Sequence, residues 1–446
     1  MKAFKAYDIR GVYNKDFNKD DAYKVGFYLR ELLNADKVLV GYDARESSPE
    51  IREYLVQGIL DSGADVYDAG MSTTPLIYFG TATFEFEASV MITASHNPAH
   101  YNGMKISRAK AMPVGYDSGL ADLQKMIERP VKKVDKPGQL KEIDVKTPYL
   151  TFLKKYAIDW SNLNTVIDCS NGVAGLFART VFGDSPEYIY EEIDGTFPNH
   201  EPNPLIEDNV TDLKSKVLEK KADAGIIFDG DGDRVMFVDE KGRFISPDLI
   251  IALLGHYFLE EKQQKGRVLQ DIRTSKAVKN YIEKMGGEMH MWRVGRAYAA
   301  TKLREIDGIF GGELAGHYYF RDFFYSDSGI LAAIIVMRIL KKQKEQGKTF
   351  SELIENIRGF ENSGEINFRI EEKQQAMDEV KAFYSEQEKP EAFYDFDGYR
   401  IEYPDWWLSI RPSNTEPYLR LLVEANSEAL LTEKVTEIKA ILEKYQ

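Results

Sequence analysis

Ala224-Gly225-Ile226-Ile227-Phe228-Asp229-Gly230-Asp231-Gly232-Asp233-Arg234-Val235-Met236-Phe237-Val238 reads as two short apolar strands joined by an acidic loop. Brief β-branched and aromatic runs bounded by glycine-rich turns are the pattern of buried strands. The loop places three carboxylates at every second residue with glycines between them, so one oxygen from each can turn towards a hard cation; magnesium and calcium both take such ligands. Three negative charges this close repel unless positive charge lies among them. An EF-hand loop is the competing reading, with Glu240 at its twelfth position. It fails at Arg234, where the sharp turn needs glycine, and on the flanks, which are strand-like and not helical. A strand–loop–strand magnesium site follows, with Arg234 close to any phosphate the metal holds.

Outward from this stretch, strand-like and helix-like patterns alternate. Lys37-Val38-Leu39-Val40-Gly41-Tyr42 is a short apolar run. Ser48-Pro49-Glu50 then opens a helix, with Ser48 as N-cap and proline in the first turn, running to about Asp61 and stopped by Gly63. Further strands fall at 64–67, 88–93, 165–168 and 267–269, and further helices at 248–261 and 275–284. Strands separated by helices of this length imply parallel α/β layers. The last stretch differs: 366–370, 399–403, 406–410 and 418–424 are strand-like, and a helix over 427–444 closes the chain. The fold class expected is α/β: three consecutive mixed α/β domains (1–145, 146–245 and 246–358) and a smaller C-terminal α+β domain (359–446), around a central cleft. The polar stretches 132–146 and 359–364 read as linkers.

The composition is that of a folded chain: 446 residues, 43% hydrophobic and 29% charged, enough for several cores. The net charge of -14 argues against nucleic-acid binding, which needs a basic face. It leaves room for small anions held by a local cluster of cations and backbone N–H groups. The one cysteine, Cys169, excludes an intrachain disulfide framework and reads as a buried thiol at a strand end. The first residues lack the apolar core of a signal peptide. The most apolar run, 329–337, is too short to span a bilayer and reads as a buried helix. A cytoplasmic enzyme without a membrane partner, monomeric or homodimeric, is the expectation.

Three more polar loops carry chemistry. Thr93-Ala94-Ser95-His96-Asn97-Pro98 puts a hydroxyl on a fixed turn after a buried strand. It lacks G-x-S-x-G, and His96, adjacent in sequence, is poorly placed for a Ser–His pair. Gly311-Gly312-Glu313-Leu314-Ala315-Gly316-His317 combines glycines, which let backbone approach a ligand closely, with an acid that can accept from vicinal sugar hydroxyls. Arg411-Pro412-Ser413-Asn414-Thr415-Glu416-Pro417 gathers a guanidinium, hydroxyls, an amide and backbone N–H groups into a phosphate cradle, to which Arg420 adds. A serine acceptor, a metal loop and a second phosphate grip together describe phosphoryl transfer, which needs positioning and charge stabilisation above all.

In this order the four loops resemble the α-D-phosphohexomutase family over the whole chain. Ala6-Tyr7-Asp8-Ile9-Arg10-Gly11 also matches. Tyr101-Asn102-Gly103-Met104-Lys105, Asp194-Gly195-Thr196-Phe197-Pro198-Asn199-His200 and Arg321-Asp322-Phe323 resemble its phosphomannomutase/phosphoglucomutase branch. The resemblance implies that Ser95 is phosphorylated in the active enzyme and that Asp229, Asp231 and Asp233 hold magnesium together with a phosphoserine oxygen. Arg10, His96, Lys105, Arg234 and His317 would line the reacting end, Lys105 and His317 would be the proton-transfer candidates, and Tyr7 would contact the substrate. Glu313 would read the sugar O3 and O4, and Arg411, Ser413, Asn414 and Thr415, with Arg420, would hold the phosphate that is not reacting. The implied activity interconverts hexose 1-phosphate and 6-phosphate, mannose first and glucose second, through a hexose 1,6-bisphosphate that also serves as activator. The family often has serine where this chain has Ala315, which leaves Glu313 as the main reader. A phosphoglucosamine mutase and a metal-dependent sugar phosphatase are the alternatives.

Overall fold

The computed structural model describes residues 2–413 and 417–446; Asn414 and Thr415 therefore lie outside the described residues. Four sheets follow one another along the chain. In the first, Lys37–Tyr42 lies between Ala88–Ile92 and Asp65–Met71, all parallel, while Tyr101–Arg108 runs antiparallel to both Ala88–Ile92 and Ile9–Val12. The five residues of Ala88–Ile92 are all buried, as expected of a strand covered by helices on both faces. On one face Lys19–Leu33 and Ser48–Asp61 pack backbone to backbone, because Gly26 and Gly58 meet at the crossing. A Cβ on Gly26 would stand 2.1 Å from the Leu55 carbonyl oxygen, and one on Gly58 2.0 Å from that of Tyr23.

The second sheet has the order Phe244–Ile245, Val235–Asp239, Ala224–Phe228, Thr165–Asp168, Glu187–Ile189, and the acidic loop is the turn of its one long antiparallel hairpin. The third has the order Glu288–Trp292, Arg267–Asp271, Phe310–Gly312, Tyr318–Phe320, Ser326–Asp327. In each of these three sheets the parallel strands make up one side, and after the polar loop an antiparallel strand carries the chain back beside them. The fourth sheet is antiparallel, built on Tyr399–Glu402, Trp406–Pro412 and Leu419–Ala425.

One apolar core runs through the first three units. Phe79 packs against Tyr149 at 5.5 Å and Phe323 at 6.5 Å between ring centroids, and Tyr149 meets Phe177 at 5.6 Å. Helix Gly329–Lys344 is buried along most of its length, as its apolar run predicts, and no helix among the described residues is long and apolar enough to cross a membrane. Cys169 is buried and free at the end of its strand. The fourth unit has a separate core around Trp406, Leu408, Leu421 and Ile438.

Three local readings are corrected. Ser47, not Ser48, stands at the N-cap position of helix Ser48–Asp61, without a side-chain capping bond, and the Ser48 hydroxyl donates to Asp43 Oδ1 at 2.7 Å. Helix Lys373–Gln387 was not anticipated between the strands of the last unit. The presumed linkers are partly sheet: Leu140–Glu142 pairs with Asp65–Met71, and Glu361–Asn362 with Leu419–Ala425.

The fourth unit attaches to the third through buried polar groups. The Arg400 guanidinium donates to the Ile272 and Thr274 carbonyls at 2.7 and 2.6 Å. The Glu424 carboxylate accepts from Ser275 Oγ (2.8 Å), Asn362 Nδ2 (2.8 Å) and Trp407 Nε1 (2.7 Å). Burial, and then the charge of Asp248, push the Glu424 carboxyl from 4.5 up to about 7. Folding therefore favours its protonated form, and the stability this group leaves intact at low pH falls as pH rises from about 4.5 through about 7. Thermal unfolding of Glu424→Gln should show a flatter pH dependence than wild type across that window; parallel curves would mean the carboxyl titrates normally.

Candidate active site

Three of the four loops meet in a cavity of about 130 Å3, lined by Tyr7, Arg10, Ser95 and Lys105 from the first unit, Arg234 from the second, and Gly295, Glu313, Ala315 and His317 from the third. Ser95 follows strand Ala88–Ile92 in a left-handed conformation, φ +51°. The Thr93 hydroxyl accepts from the Ser95 N–H at 2.8 Å and fixes this turn. The serine hydroxyl is thereby aimed across the unit boundary, donating to Asp229 Oδ2 at 2.9 Å. His96 Nδ1 stands 3.3 Å from the same hydroxyl, nearer than its place in the sequence suggested. Burial, then the surrounding Arg234, Arg10 and Lys105, push its pKa well down, so the ring is neutral.

Asp229, Asp231 and Asp233 are fully buried, with carboxylate oxygens within 4.8 Å of one another. Gly232, at φ +72°, lets the chain turn so tightly. Asp231 Oδ2 accepts from Thr74 Oγ1 (2.5 Å) and from the Lys105 ammonium (2.6 Å), which also reaches Asp233 Oδ2. Burial would depress the Lys105 pKa, but Asp231 and Asp233 outweigh it and hold the ammonium charged. Burial, then the charges of Asp233 and Asp231, push Asp229 well above the ordinary carboxylate range. One oxygen each of Asp231 and Asp233 is buried with no hydrogen-bond partner. Buried anionic oxygens without a hydrogen-bond donor, in a cluster of three carboxylates, fit a hard divalent cation. Glu240, the EF-hand candidate, turns away to accept from Ser351.

The side of the cavity beside Ser95 is rich in ordered cations. Arg10 donates to Asn97 Oδ1 at 2.9 Å and pairs with Asp8. Arg234 Nε donates to His317 Nε2 at 3.0 Å, which leaves His317 Nδ1 to donate to Asp327 Oδ2 at 2.6 Å. Asp327 also pairs with Arg296 at 3.1 Å; against the upward pull of burial, Arg296 and His317 hold its carboxyl down at about 2. Thr74, Asp8, Arg296 and Asp327 are site residues that sequence reasoning missed. Asp8 lies inside a quoted motif, but the others gain meaning only when the loops are brought together.

Glu313 sits in the turn between Phe310–Gly312 and Tyr318–Phe320 and accepts from the Gly295 N–H (2.7 Å) and the Tyr319 hydroxyl. Gly311 and Gly312 serve packing and not ligand approach: a Cβ on either would meet Leu269 or Ile251 within 2.7 Å. The fourth loop is linked to this wall by a relay. Tyr7 donates to the Val294 carbonyl (3.0 Å), the Val294 N–H to Asp397 Oδ2 (2.8 Å), and that oxygen lies 3.7 Å from Arg411 Nε. Arg411 and Arg420 are direct cross-strand partners, so both guanidiniums share one face, and Glu365 lies 2.9 Å from Arg420. The Ser413 N–H donates to the Tyr418 carbonyl at 2.8 Å, closing the described ends of the loop.

The acidic cluster makes a prediction independent of turnover. Removing divalent cation with a chelator should lower the melting temperature of the wild type, since repulsion among the triad returns. Asp231→Asn should shrink the difference between magnesium and chelator. An equal difference in both proteins would place the stabilising cation elsewhere.

The geometry agrees with what the chain resembles. Residues 1–135, 147–242 and 246–371 match the models of phosphoglucomutase/phosphomannomutase α/β/α domains I, II and III, and residues 365–441 match the C-terminal domain of the same family. A phosphomannomutase of Escherichia coli is 36% identical, with 99% of each chain covered. One from Methanocaldococcus jannaschii is 34% identical, over 100% of this chain and 98% of the relative. The crystal structure of a phosphoglucomutase/phosphomannomutase family protein from Burkholderia thailandensis superposes with a TM-score of 0.89 at 29% identity, over 100% of this chain and 97% of that one. The chain belongs to the phosphoglucomutase/phosphomannomutase family, enzymes that transfer phosphate within a sugar.

Proposed function

We propose that the protein interconverts hexose 1-phosphate and hexose 6-phosphate, mannose first and glucose second, with Ser95 as the phosphoryl carrier and hexose 1,6-bisphosphate as intermediate and activator. The units 1–145, 146–245, 246–358 and 359–446 each supply one loop. The observation that carries the reading is the Ser95 hydroxyl 2.9 Å from Asp229, on the rim of a buried carboxylate triad. A hydrolase leaves the second phosphate grip at Arg411 and Arg420 unexplained.

Asp229, Asp231 and Asp233 with a phosphoserine oxygen would hold magnesium, which when bound supplies positive charge to the phosphoryl group in transfer. The rest of the chemistry falls to this chain's own groups. Lys105, Arg10 and Arg234 bring fixed positive charge to the oxygens of the moving group. The free hydroxyl of the bound sugar forms its bond to phosphorus as the Ser95 Oγ–P bond breaks. Its proton passes to His317 Nε2 once Arg234 turns to the phosphoryl oxygens; Asp327 supports this by holding the proton on Nδ1 and stabilising the imidazolium. Lys105, kept charged by its two carboxylates, suits a stabilising role better than that of base. The bisphosphate then reorients, and its other phosphoryl group returns to Ser95 Oγ as the sugar O–P bond breaks, the sugar oxygen taking back the proton held on His317 Nε2. Glu313 accepts from the O3 and O4 hydroxyls, which are close to symmetric between the two orientations. Arg411, Ser413, Asn414, Thr415 and Arg420 hold the phosphate that is not reacting in either step.

Mannose, glucose and glucosamine 1-phosphates, assayed side by side with magnesium and a trace of hexose bisphosphate, should give 6-phosphate fastest from mannose and next from glucose. Fastest turnover of the amino sugar would make this a phosphoglucosamine mutase, and release of free phosphate alone would make it a phosphatase. Ser95→Ala should lose turnover while melting close to wild type. Arg411→Ala should raise KM about 10- to 100-fold for both directions, the worth of a charge-assisted phosphate contact; an unchanged KM would remove it from the cradle.

A further inference from the structure

We infer that Arg45, capped by Phe197, is the positioning residue that holds the Ser95 loop in its reacting conformation, and that the 194–200 segment acts on catalysis through it. The inference rests on the proposed role of Ser95 as carrier.

Arg45 is 1% exposed, and both terminal nitrogens of its guanidinium are spent on the Ser95 turn. Nε donates to Asp43 Oδ2 at 3.0 Å. Nη1 donates to the Pro98 carbonyl (2.6 Å) and the Tyr101 carbonyl (3.1 Å). Nη2 donates to the Ser95 carbonyl (2.9 Å) and the Asn97 carbonyl (2.6 Å). Four carbonyls of one seven-residue turn therefore converge on a single planar cation. Without it they would crowd their negative ends together with no cation between them, although the Pro98 carbonyl would keep the Tyr101 N–H at 3.0 Å. Ser95 itself is held at φ +51°, a conformation that is unfavourable for a non-glycine residue and persists only where the surroundings impose it. The Thr93 hydroxyl holds the Ser95 N–H and the Arg45 guanidinium holds its carbonyl, so the residue is fixed from both ends with its side chain facing Asp229.

The segment Asp194 to His200 stands out in the sequence, yet it lies outside the cleft. Its Phe197 ring sits 5.1 Å from the Arg45 guanidinium carbon. Gly195 abuts the backbone beside Arg45, where a Cβ would come 2.1 Å from the Ala44 carbonyl oxygen. The segment hangs from the turn after strand Thr165–Asp168. The Asp194 N–H donates to the Asn171 carbonyl (3.0 Å), Asn199 Nδ2 to Asn171 Oδ1 (2.8 Å), and His200 Nε2 lies 3.1 Å from Asp168 Oδ2. The same turn presses on the acidic loop: the Val173 N–H donates to the Gly230 carbonyl at 3.1 Å, and a Cβ on Gly230 would fall 2.6 Å from the Ser95 carbonyl oxygen. One turn of the second unit thus sets both the triad and, through Phe197 and Arg45, the serine that must meet it. An ångström of misplacement between such groups is worth about 100-fold in rate.

Arg45→Lys keeps the charge beside Asp43 but offers one nitrogen where four carbonyls need a planar fork. It should lower kcat about 100-fold with KM for hexose phosphate within about threefold, because the distal cradle is untouched. Phe197→Leu, which leaves the arginine in place and the fold intact, should lower kcat about 10-fold with the same split. Both should speed amide hydrogen exchange in peptides spanning 93–101 and leave the third sheet unchanged. If Arg45→Lys does not fold, Phe197→Leu decides alone. Wild-type kcat and exchange in the folded variants would overturn the inference, as would kcat and KM failing together with faster exchange throughout the chain. Ser95→Ala separates the two claims. An active Ser95→Ala sinks the carrier role itself, whereas an inactive one beside wild-type Arg45 and Phe197 variants sinks only the positioning.

Discussion

Three carboxylates shut from water on one hairpin turn are the constraint to which the rest of this molecule answers. Asp229, Asp231 and Asp233 have no exposed surface, and two of their oxygens lack any donor. Charges so buried demand opposite charge nearby. The protein meets part of that demand with Lys105 from the neighbouring unit and part with Thr74. A hairpin in one sheet therefore dictates where a strand and a helix of another must lie. The remaining demand is what makes the loop fit for a divalent cation and for the phosphoryl group such a cation neutralises.

The same logic of shared partners couples the other loops. Arg234, one residue past the triad, reaches His317 of the third unit, and Asp327 and Arg296 complete that cluster. The continuous apolar core through Phe79, Tyr149 and Phe323 holds these three units at fixed distances. The fourth unit keeps its own core and joins through polar contacts that include Arg400, Glu424 and the Asp397 relay. That division suits the proposed reaction, in which the reacting end would need rigid placement while the grip on the distal phosphate would accept the sugar in two orientations and release it.

Much of this was legible in the sequence where local chemistry is self-contained. The Asp229 loop declares itself because acids at every second residue between apolar strands have few uses, and strands Thr165–Asp168 and Ala224–Phe228 fall where their apolar runs predict. Helix Lys373–Gln387 escaped because it is mostly polar, with few buried residues to mark a face. Ser48 misled because Asp43, five residues earlier, competes for its hydroxyl. The glycine pair at Gly311 and Gly312 misled because packing and ligand approach leave the same mark in a sequence. Arg45, Asp327 and Arg296 stayed hidden for a different reason. Each acts through groups from 10 to more than 50 residues away, and no local pattern sets such an arginine or aspartate apart from a surface charge.

The claim on which everything else turns is that Ser95 carries the phosphoryl group. The most direct measurement is to incubate the protein with hexose 1,6-bisphosphate and magnesium, remove the sugar, and locate covalent phosphate by tandem mass spectrometry. The account expects one phosphate, on the peptide containing Ser95, discharged when hexose monophosphate is added. A turning-over enzyme with phosphate on another residue, or with none, would contradict it.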